Sequence, residues 1–480
     1  MLDRKNGAMA TRPSGMESPR KQPRVLPRAP STQAPRYRVL IYSHDSFGLG
    51  HIRRCRAIAH ALVEHHKKLN VLILSGSPII GRFSFRARVD FVRVPGIIKL
   101  RNGEYTSLNL DVNIEHTLAL RASIIEHTAR VFEPHLFLVD KEPLGLLGEA
   151  RSTLRMLRRR GNCRLVLGLR DIMDDPRLLA EEWRRKGVMP ALKRLYDQIW
   201  VYGLPQIYDP VSAYRFPPDV AAKTVFTGYL PREARPDVHL PQEVLATVQG
   251  GSFLLVTPGG GGDGADLVDA TISAYERFGD RLPWPALVVY GPFLPARERA
   301  AFDRRVAGLP RVTTLTFHED LETLIEKAAA VVCLGGYNTF CEIVSLNKRS
   351  LIVPRVTPRA EQLLRANAAR RLGLVQTLHP DRLTPETLAE ALIRLPDQPL
   401  PASHRIPGLL DGLRYINATI SQWWMNGHPR DRAEAPMAAS QGARARPREA
   451  AGLAARGQTG AAVRGLEARN VAIRGSRRRP

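Results

Sequence analysis

Residues Phe253–Gly264 read FLLVTPGGGGDG, and residues Ala330–Glu342 read AVVCLGGYNTFCE. Both are short apolar runs that end in glycines and pass directly into a helix-like segment. Tyr37–Arg54, YRVLIYSHDSFGLGHIRR, repeats the plan near the other end of the chain. A strand that empties into a glycine turn and a helix is the repeating unit of a parallel sheet covered on both faces. Working outward, the unit recurs. In the first half, Tyr37–Tyr42, Val71–Leu74, Leu136–Asp140, Leu165–Leu169 and Ile199–Tyr202 alternate with amphipathic stretches, the first of them a helix from Gly50 to about His66. In the second half the strands are Phe253–Thr257, Ala286–Tyr290, Val312–Phe317, Ala330–Leu334 and Ser350–Pro354, with a helix at Ala265–Phe278. The fold class is therefore α/β: two Rossmann-like, doubly wound domains facing a central cleft, where ligands meet the carboxyl ends of the strands.

The expected organisation is a basic tail at 1–36, an N-terminal Rossmann-like domain at 37–230, a linker at 231–250, a C-terminal Rossmann-like domain at 251–400, a C-terminal helix at 401–424 packing back on the body, and an Arg/Ala/Gly-rich tail at 425–480. The chain carries a net charge of +25, unevenly placed: residues 1–36 have 8 Lys and Arg against 2 acids, and residues 425–480 have 12 Arg against 4 acids. Such tails read as solvated disorder, with an electrostatic tether to an anionic membrane or nucleic acid as the sharper alternative. Their lack of interleaved aromatics disfavours nucleic acid as a partner. No stretch of 18 apolar residues occurs, and the N-terminus has no apolar signal region. The cysteines, Cys55, Cys163, Cys333 and Cys341, are scattered, which disfavours zinc and a disulfide framework and fits a reducing cytoplasmic setting.

Four stretches carry chemistry. In SFGLGHIRR, Ser46–Arg54, Gly48 and Gly50 let the backbone approach a ligand, and the following helix N-terminus offers N–H groups to an anion. His51 sits where an imidazole could take a proton. Arg53 stands where a nicotinamide fingerprint needs its third glycine, so that cofactor is disfavoured. In TPGGGGDG, Gly259, Gly260, Gly261 and Gly262 expose main-chain amides suited to phosphate, without the Lys-Ser/Thr of an ATP-hydrolysing loop. In LGGYNTFCE, Gly335 and Gly336 permit close backbone approach, and Asn338 or Thr339 can cap the helix. Here two readings of Glu342 stay open: the acid of a Thr339-x-x-Glu342 capping box, reaching back to the cap N–H, or a carboxylate accepting two ribose hydroxyls. In PRVTPRAEQLLRAN, Glu361 and Gln362 offer groups suited to sugar hydroxyls, or simply begin a helix.

Taken in order, with Leu315–Thr339 reading LTFHEDLETLIEKAAAVVCLGGYNT, these stretches resemble the C-terminal domain of glycosyltransferase family 28, of the peptidoglycan N-acetylglucosaminyltransferase type. GLGHIRRCRAIA is also similar to the sugar-nucleotide hydrolase of pseudaminic acid synthesis, another GT-B protein, and the whole is similar to a group of predicted bacterial glycosyltransferases. The resemblance implies a hexosyltransferase acting on a UDP-linked donor. It places Phe317 and the His318 backbone at the base, Gly259 to Gly262 near the diphosphate, Gly335, Gly336 and Asn338 at the α-phosphate, Glu342 on the ribose, Glu361 and Gln362 on the donor sugar, and His51 as base beside the acceptor- and phosphate-side loop of Gly48, Gly50 and Arg54. Glu361 stands where the peptidoglycan enzyme has the first of two glutamines. No Asp-x-Asp pair occurs, in keeping with a reaction that needs no metal or other cofactor. Family 28 acceptors are often lipid-linked, which implies peripheral contact with the inner face of the plasma membrane. Gly96–Arg101, GIIKLR, suits either a headgroup layer or an ordinary strand. A nucleotide-sugar hydrolase or epimerase keeps the fold and changes the reaction, and a basic nucleic-acid-binding protein keeps the fold alone.

Overall fold

The computed structural model describes residues 37–44, 50–100, 104–234, 242–249, 251–260, 262–318 and 320–425. Gly48, Gly261, the tail expected at 1–36 and the tail expected at 425–480, apart from Met425, lie outside the described residues.

The first lobe is built on a seven-stranded sheet. Its strands are β1 (Tyr37–Ser43), β2 (Leu69–Ser75) and β3 (Val89–Arg93), then, after a small separate hairpin of β4 (Ile97–Lys99) and β5 (Tyr105–Ser107), β6 (Leu136–Asp140), β7 (Arg164–Arg170), β8 (Gln198–Tyr202) and β9 (Thr224–Phe226). The strand order is β3-β2-β1-β6-β7-β8-β9, parallel throughout. Val39–Tyr42 and Leu136–Val139 are apolar at successive positions because helices cover both faces of the sheet, so no position faces water. The Gly96–Arg101 stretch supplies β4, whose Ile97 is buried against the body.

The second lobe holds six parallel strands: β10 (Leu254–Thr257), β11 (Ala286–Val289), β12 (Val312–Leu315), β13 (Ala330–Cys333), β14 (Arg349–Ile352) and β15 (Gln376–Thr377), in the order β12-β11-β10-β13-β14-β15. Each sheet thus reverses its strand order once, between β1 and β6 in one and between β10 and β13 in the other. Such switch points leave a crevice at the carboxyl ends of the strands.

Part of 231–250, expected as a linker, is structured: Gln242–Gln249 is a helix, with Val244 in the core and the Thr247 hydroxyl 2.8 Å from that of Thr313 on β12. An apolar residue every helical turn or so was hidden there among polar neighbours and prolines. The chain ends its described part in a helix, Gly412–Met425, that returns to the first lobe. Trp424 stacks on Tyr37 with ring centroids 3.9 Å apart, and Trp423 stacks over Trp200. One apolar cluster runs without a break from Val39 and Ile41 through Tyr229 and Tyr337 to Phe340 and Val331, so the two sheets share a core.

Candidate active site

The carboxyl ends of both sheets open onto a single cavity of about 480 Å³, a size suited to a small organic ligand. The first lobe contributes Gly50, His51, Arg53, Arg54, Phe83 and Arg170 to its wall. From the second come Gly259, Gly260 and Gly262, then Phe317 and His318, then Gly336 and Asn338, then Glu361 and Gln362. Twelve residues singled out in the sequence therefore meet in one place, although more than 300 positions separate His51 from Gln362. Gly335 and Glu342 are not on that wall.

Two glycines are demanded by geometry. Gly335 has φ +73°, and a Cβ there would lie 2.6 Å from the Ile352 side chain. Gly291, which the sequence reading passed over, has φ +90°, and a Cβ there would lie 2.5 Å from the Gly259 carbonyl oxygen. The Gly291–Phe293 turn underlies the glycine loop, and the Phe293 amide donates to the Gly260 carbonyl at 3.0 Å.

The helix after Gly336 spans Tyr337–Ser345 with Gly336 itself at the N-cap and no side-chain cap. Neither Asn338 nor Thr339 caps it, and the capping box does not form: starting at Tyr337 places Glu342 on the second turn, out of reach of the cap. Asn338 instead donates from Nδ2 to the Gly50 carbonyl of the opposite lobe at 3.1 Å and accepts from Arg232 at 3.3 Å.

Glu342 has no solvent exposure, and Arg53, which lines the cavity, lies against its carboxylate. The Arg53 guanidinium is 2.8 Å from Glu342 and 2.7 Å from Glu322, an ion triad across the lobes. Burial pushes the Glu342 carboxyl up to about 7, against the opposing pull of Arg53. The helix at Glu361–Arg371 begins at the cavity. Arg355 donates from Nη2 to Glu361 at 2.7 Å and from its backbone N–H to the Gln362 side-chain oxygen at 3.0 Å. The second carboxylate oxygen of Glu361, Oε2, is buried with no partner.

Opposite stands a histidine with a carboxylate behind it. His51 Nδ1 lies 2.6 Å from Asp140 Oδ2, at the end of β6. Arg54 clamps the same carboxylate, from Nε at 2.8 Å and from Nη2 at 2.5 Å. With Asp140 ionised, Nδ1 carries the donated proton and Nε2 is the basic nitrogen. Burial and the Arg54 charge hold the His51 ring well below the usual imidazole range. His44, buried, packs edge-on against it at 4.0 Å between centroids.

Asp140, Arg170, Asp171 and Arg365 escaped the sequence reading. Asp140 and Arg170 end strands, and the change from an apolar run to a charge at a strand's carboxyl end was the available signal. Asp171 and Arg365 are fully buried and paired across the lobes at 2.7 and 2.6 Å, with the Tyr229 hydroxyl donating to Asp171 at 2.7 Å.

The family description "Glycosyltransferase family 28 C-terminal domain" matches residues 260–405. A UDP-N-acetylglucosamine–N-acetylmuramyl-(pentapeptide) pyrophosphoryl-undecaprenol N-acetylglucosamine transferase of Syntrophotalea carbinolica is 30% identical over 90 residues, 18% of this chain and 25% of that protein. An uncharacterized glycosyltransferase of Methanopyrus kandleri is 24% identical over 221 residues, 45% of this chain and 59% of that protein. The chain thus spans only a quarter to about three fifths of the length of these relatives. Among solved structures, UGT2 of Phytolacca americana with UDP-2-fluoro-glucose and pterostilbene superposes with a TM-score of 0.55 at 14% identity, covering 81% of this chain and 100% of that one. MnaA of S. aureus with UDP gives 0.54 at 13% identity, covering 81% and 97%. MurG of Acinetobacter baumannii gives 0.50 at 13%, covering 81% and 100%. At such identities the structures speak for the fold, two Rossmann-like lobes around a cleft. The chain has the GT-B fold, and its residues 260–405 match the description of the glycosyltransferase family 28 C-terminal domain.

Proposed function

We propose that the protein transfers a hexosyl group from a nucleotide-linked donor, of the UDP-sugar class, to a hydroxyl acceptor. The observation that carries this reading is the pairing across one cavity of the His51–Asp140 dyad with the bare glycine loops and the Glu361–Gln362 pair. The family description of the second lobe supports it, as do the transferase named for the Syntrophotalea relative and the UDP ligands of the Phytolacca and S. aureus structures.

In this reading Phe317 and the His318 backbone face the base. Gly259, Gly260, Gly262, Gly336 and Asn338 surround the diphosphate, where main-chain amides and the helix beginning at Tyr337 meet its charge. Glu361 and Gln362 take the sugar hydroxyls, and the unpartnered Oε2 of Glu361 is an acceptor ready for one. Glu342 takes the ribose hydroxyls only after Arg53 swings off its carboxylate. Gly50 and Arg54 border the acceptor side. His51 Nε2 removes the acceptor proton as the oxygen attacks the anomeric carbon. The bond from that carbon to the phosphate oxygen breaks, and UDP departs with the electron pair. Asp140 holds the ring and stabilises the imidazolium that forms. In this route the main-chain amides stand in for a metal cation.

A lipid-linked acceptor reached from the cytoplasmic face of the plasma membrane goes with this reading, in line with the undecaprenol substrate named for the Syntrophotalea relative. No described helix is long and apolar enough to cross a membrane.

The test is UDP release from a panel of UDP-sugars, with and without a cell-envelope lipid extract. Acceptor-dependent release supports transfer. Stoichiometric free sugar without acceptor points to a hydrolase, and failure to bind UDP by calorimetry removes the nucleotide-sugar reading.

A further inference from the structure

Four arginines line the cavity, and among the described residues three of them have a carboxylate at ion-pair distance. Arg53 has Glu322 and Glu342, Arg54 has Asp140, and Arg355 has Asp263 and Glu361. Arg170 has none, and its buried Nε has no hydrogen-bond partner. It ends β7, in register with Tyr202 of β8. The adjacent Asp171 is unavailable, since Arg365 and Tyr229 already occupy its carboxylate. Burial, with Arg365 and Arg54 adding to it, pushes the Arg170 guanidinium down to about 10, and Glu361 exerts the strongest opposing pull. The group is still a cation at neutral pH. A half-buried cation without a carboxylate at ion-pair distance is costly, and a bound anion relieves that cost.

Glu361, which lines the same cavity, has an Oε2 that also lacks a partner. The cavity wall therefore presents a donor that needs an anion and an acceptor that needs a hydroxyl. A glycosyl phosphate offers both. We propose that Arg170 is a phosphate-binding residue of the cleft, neutralised by a phosphate of the reactants while a hydroxyl of the attached sugar rests on Glu361. This inference rests on the nucleotide-sugar reading for the identity of the reactants. The phosphate can come from the donor diphosphate or from a phosphate on the acceptor, and the experiment separates them.

Full-length protein, R170M and R170K are titrated calorimetrically with UDP, uridine and inorganic pyrophosphate, and their melting is followed without ligand. R170M is expected to melt no lower than wild type, because it loses an uncompensated charge. Its affinity for UDP falls roughly 10- to 100-fold, the loss of a charged hydrogen bond, while uridine binding stays within about twofold. R170K, which keeps the charge and loses the planar fork, recovers part of the affinity. That outcome assigns the donor phosphate. Unchanged UDP affinity, with pyrophosphate binding to UDP-saturated wild type and not to UDP-saturated R170M, assigns the acceptor phosphate. If UDP and pyrophosphate bind wild type and variant alike, the inference is overturned while the nucleotide-sugar reading stands. If wild type binds no UDP, that reading fails by itself, and pyrophosphate alone still decides: binding to wild type and not to R170M supports Arg170, and any other result overturns it. Should R170M not fold, R170K is compared with wild type on the same criteria.

Discussion

His51 is held by a carboxylate that Arg54 also holds, and this arrangement has a pH consequence. A ring whose folded pKa lies well below the ordinary 6.5 remains an unprotonated base as the solution turns mildly acidic. Turnover should therefore stay level from about pH 8 down through 6.5. For stability the sign is opposite in effect. Above the unfolded value both states are neutral at this site. Below it the unfolded chain binds the proton first, so His51 withdraws stability as pH falls from about 6.5 towards its depressed folded value. H51A should lower turnover roughly 10²- to 10⁴-fold, leave UDP affinity nearly intact, and flatten part of that acid-side loss. Rate profiles and melts across pH 5–8 check all three, and wild-type turnover in H51A would remove the base assignment. Histidine after a strand and a glycine turn was visible in the sequence as a candidate. The carboxylate that sets its tautomer was not, because Asp140 lies 89 positions away on a different strand.

At the scale of the element, the glycine loop after β10 is as much the product of the Gly291–Phe293 turn beneath it as of its own residues. Four consecutive glycines announce close backbone approach, but they do not say what shapes the loop. Gly291 does so by leaving room for the Gly259 carbonyl. G291A should force that loop outward and strain a positive φ at once. The expected result is UDP affinity reduced at least about tenfold, with a stability loss of roughly 1–3 kcal/mol. Calorimetry and thermal melting check it; wild-type UDP affinity in a folded G291A would show that the loop can adjust. The helix at Tyr337–Ser345 gives a second lesson. A Thr-x-x-Glu pattern matched a capping box, but Gly336 starts the helix before the pattern can be used. Local spacing proposes a cap, and the position of the preceding strand end disposes of it.

For the molecule as a whole, the Asp171–Arg365 pair and the shared apolar core tie the two lobes into one body. The pair is fully buried, so removing one partner leaves an uncompensated charge. D171A should cost about 3–5 kcal/mol, strip Arg365 and Tyr229 of their partner, and lower the melting midpoint. Because this contact bridges the lobes, scanning calorimetry should show the single transition broadening or dividing. A D171A melt superimposable on wild type would mean the lobes are held by the apolar contacts alone.

The strand–glycine–helix units of both lobes could be read from the amino-acid order, because strand burial and tight turns are local demands that leave a local trace. The same holds for the glycine loops and for the family 28 pattern of the second lobe. Short edge strands such as β9 and β15, the helix within 231–250, the triad of Arg53, Glu322 and Glu342, and the unpartnered Arg170 belong to tertiary structure. Charge pairing is decided by which groups are brought within a few ångströms in a space without water, and sequence separation carries no information about that.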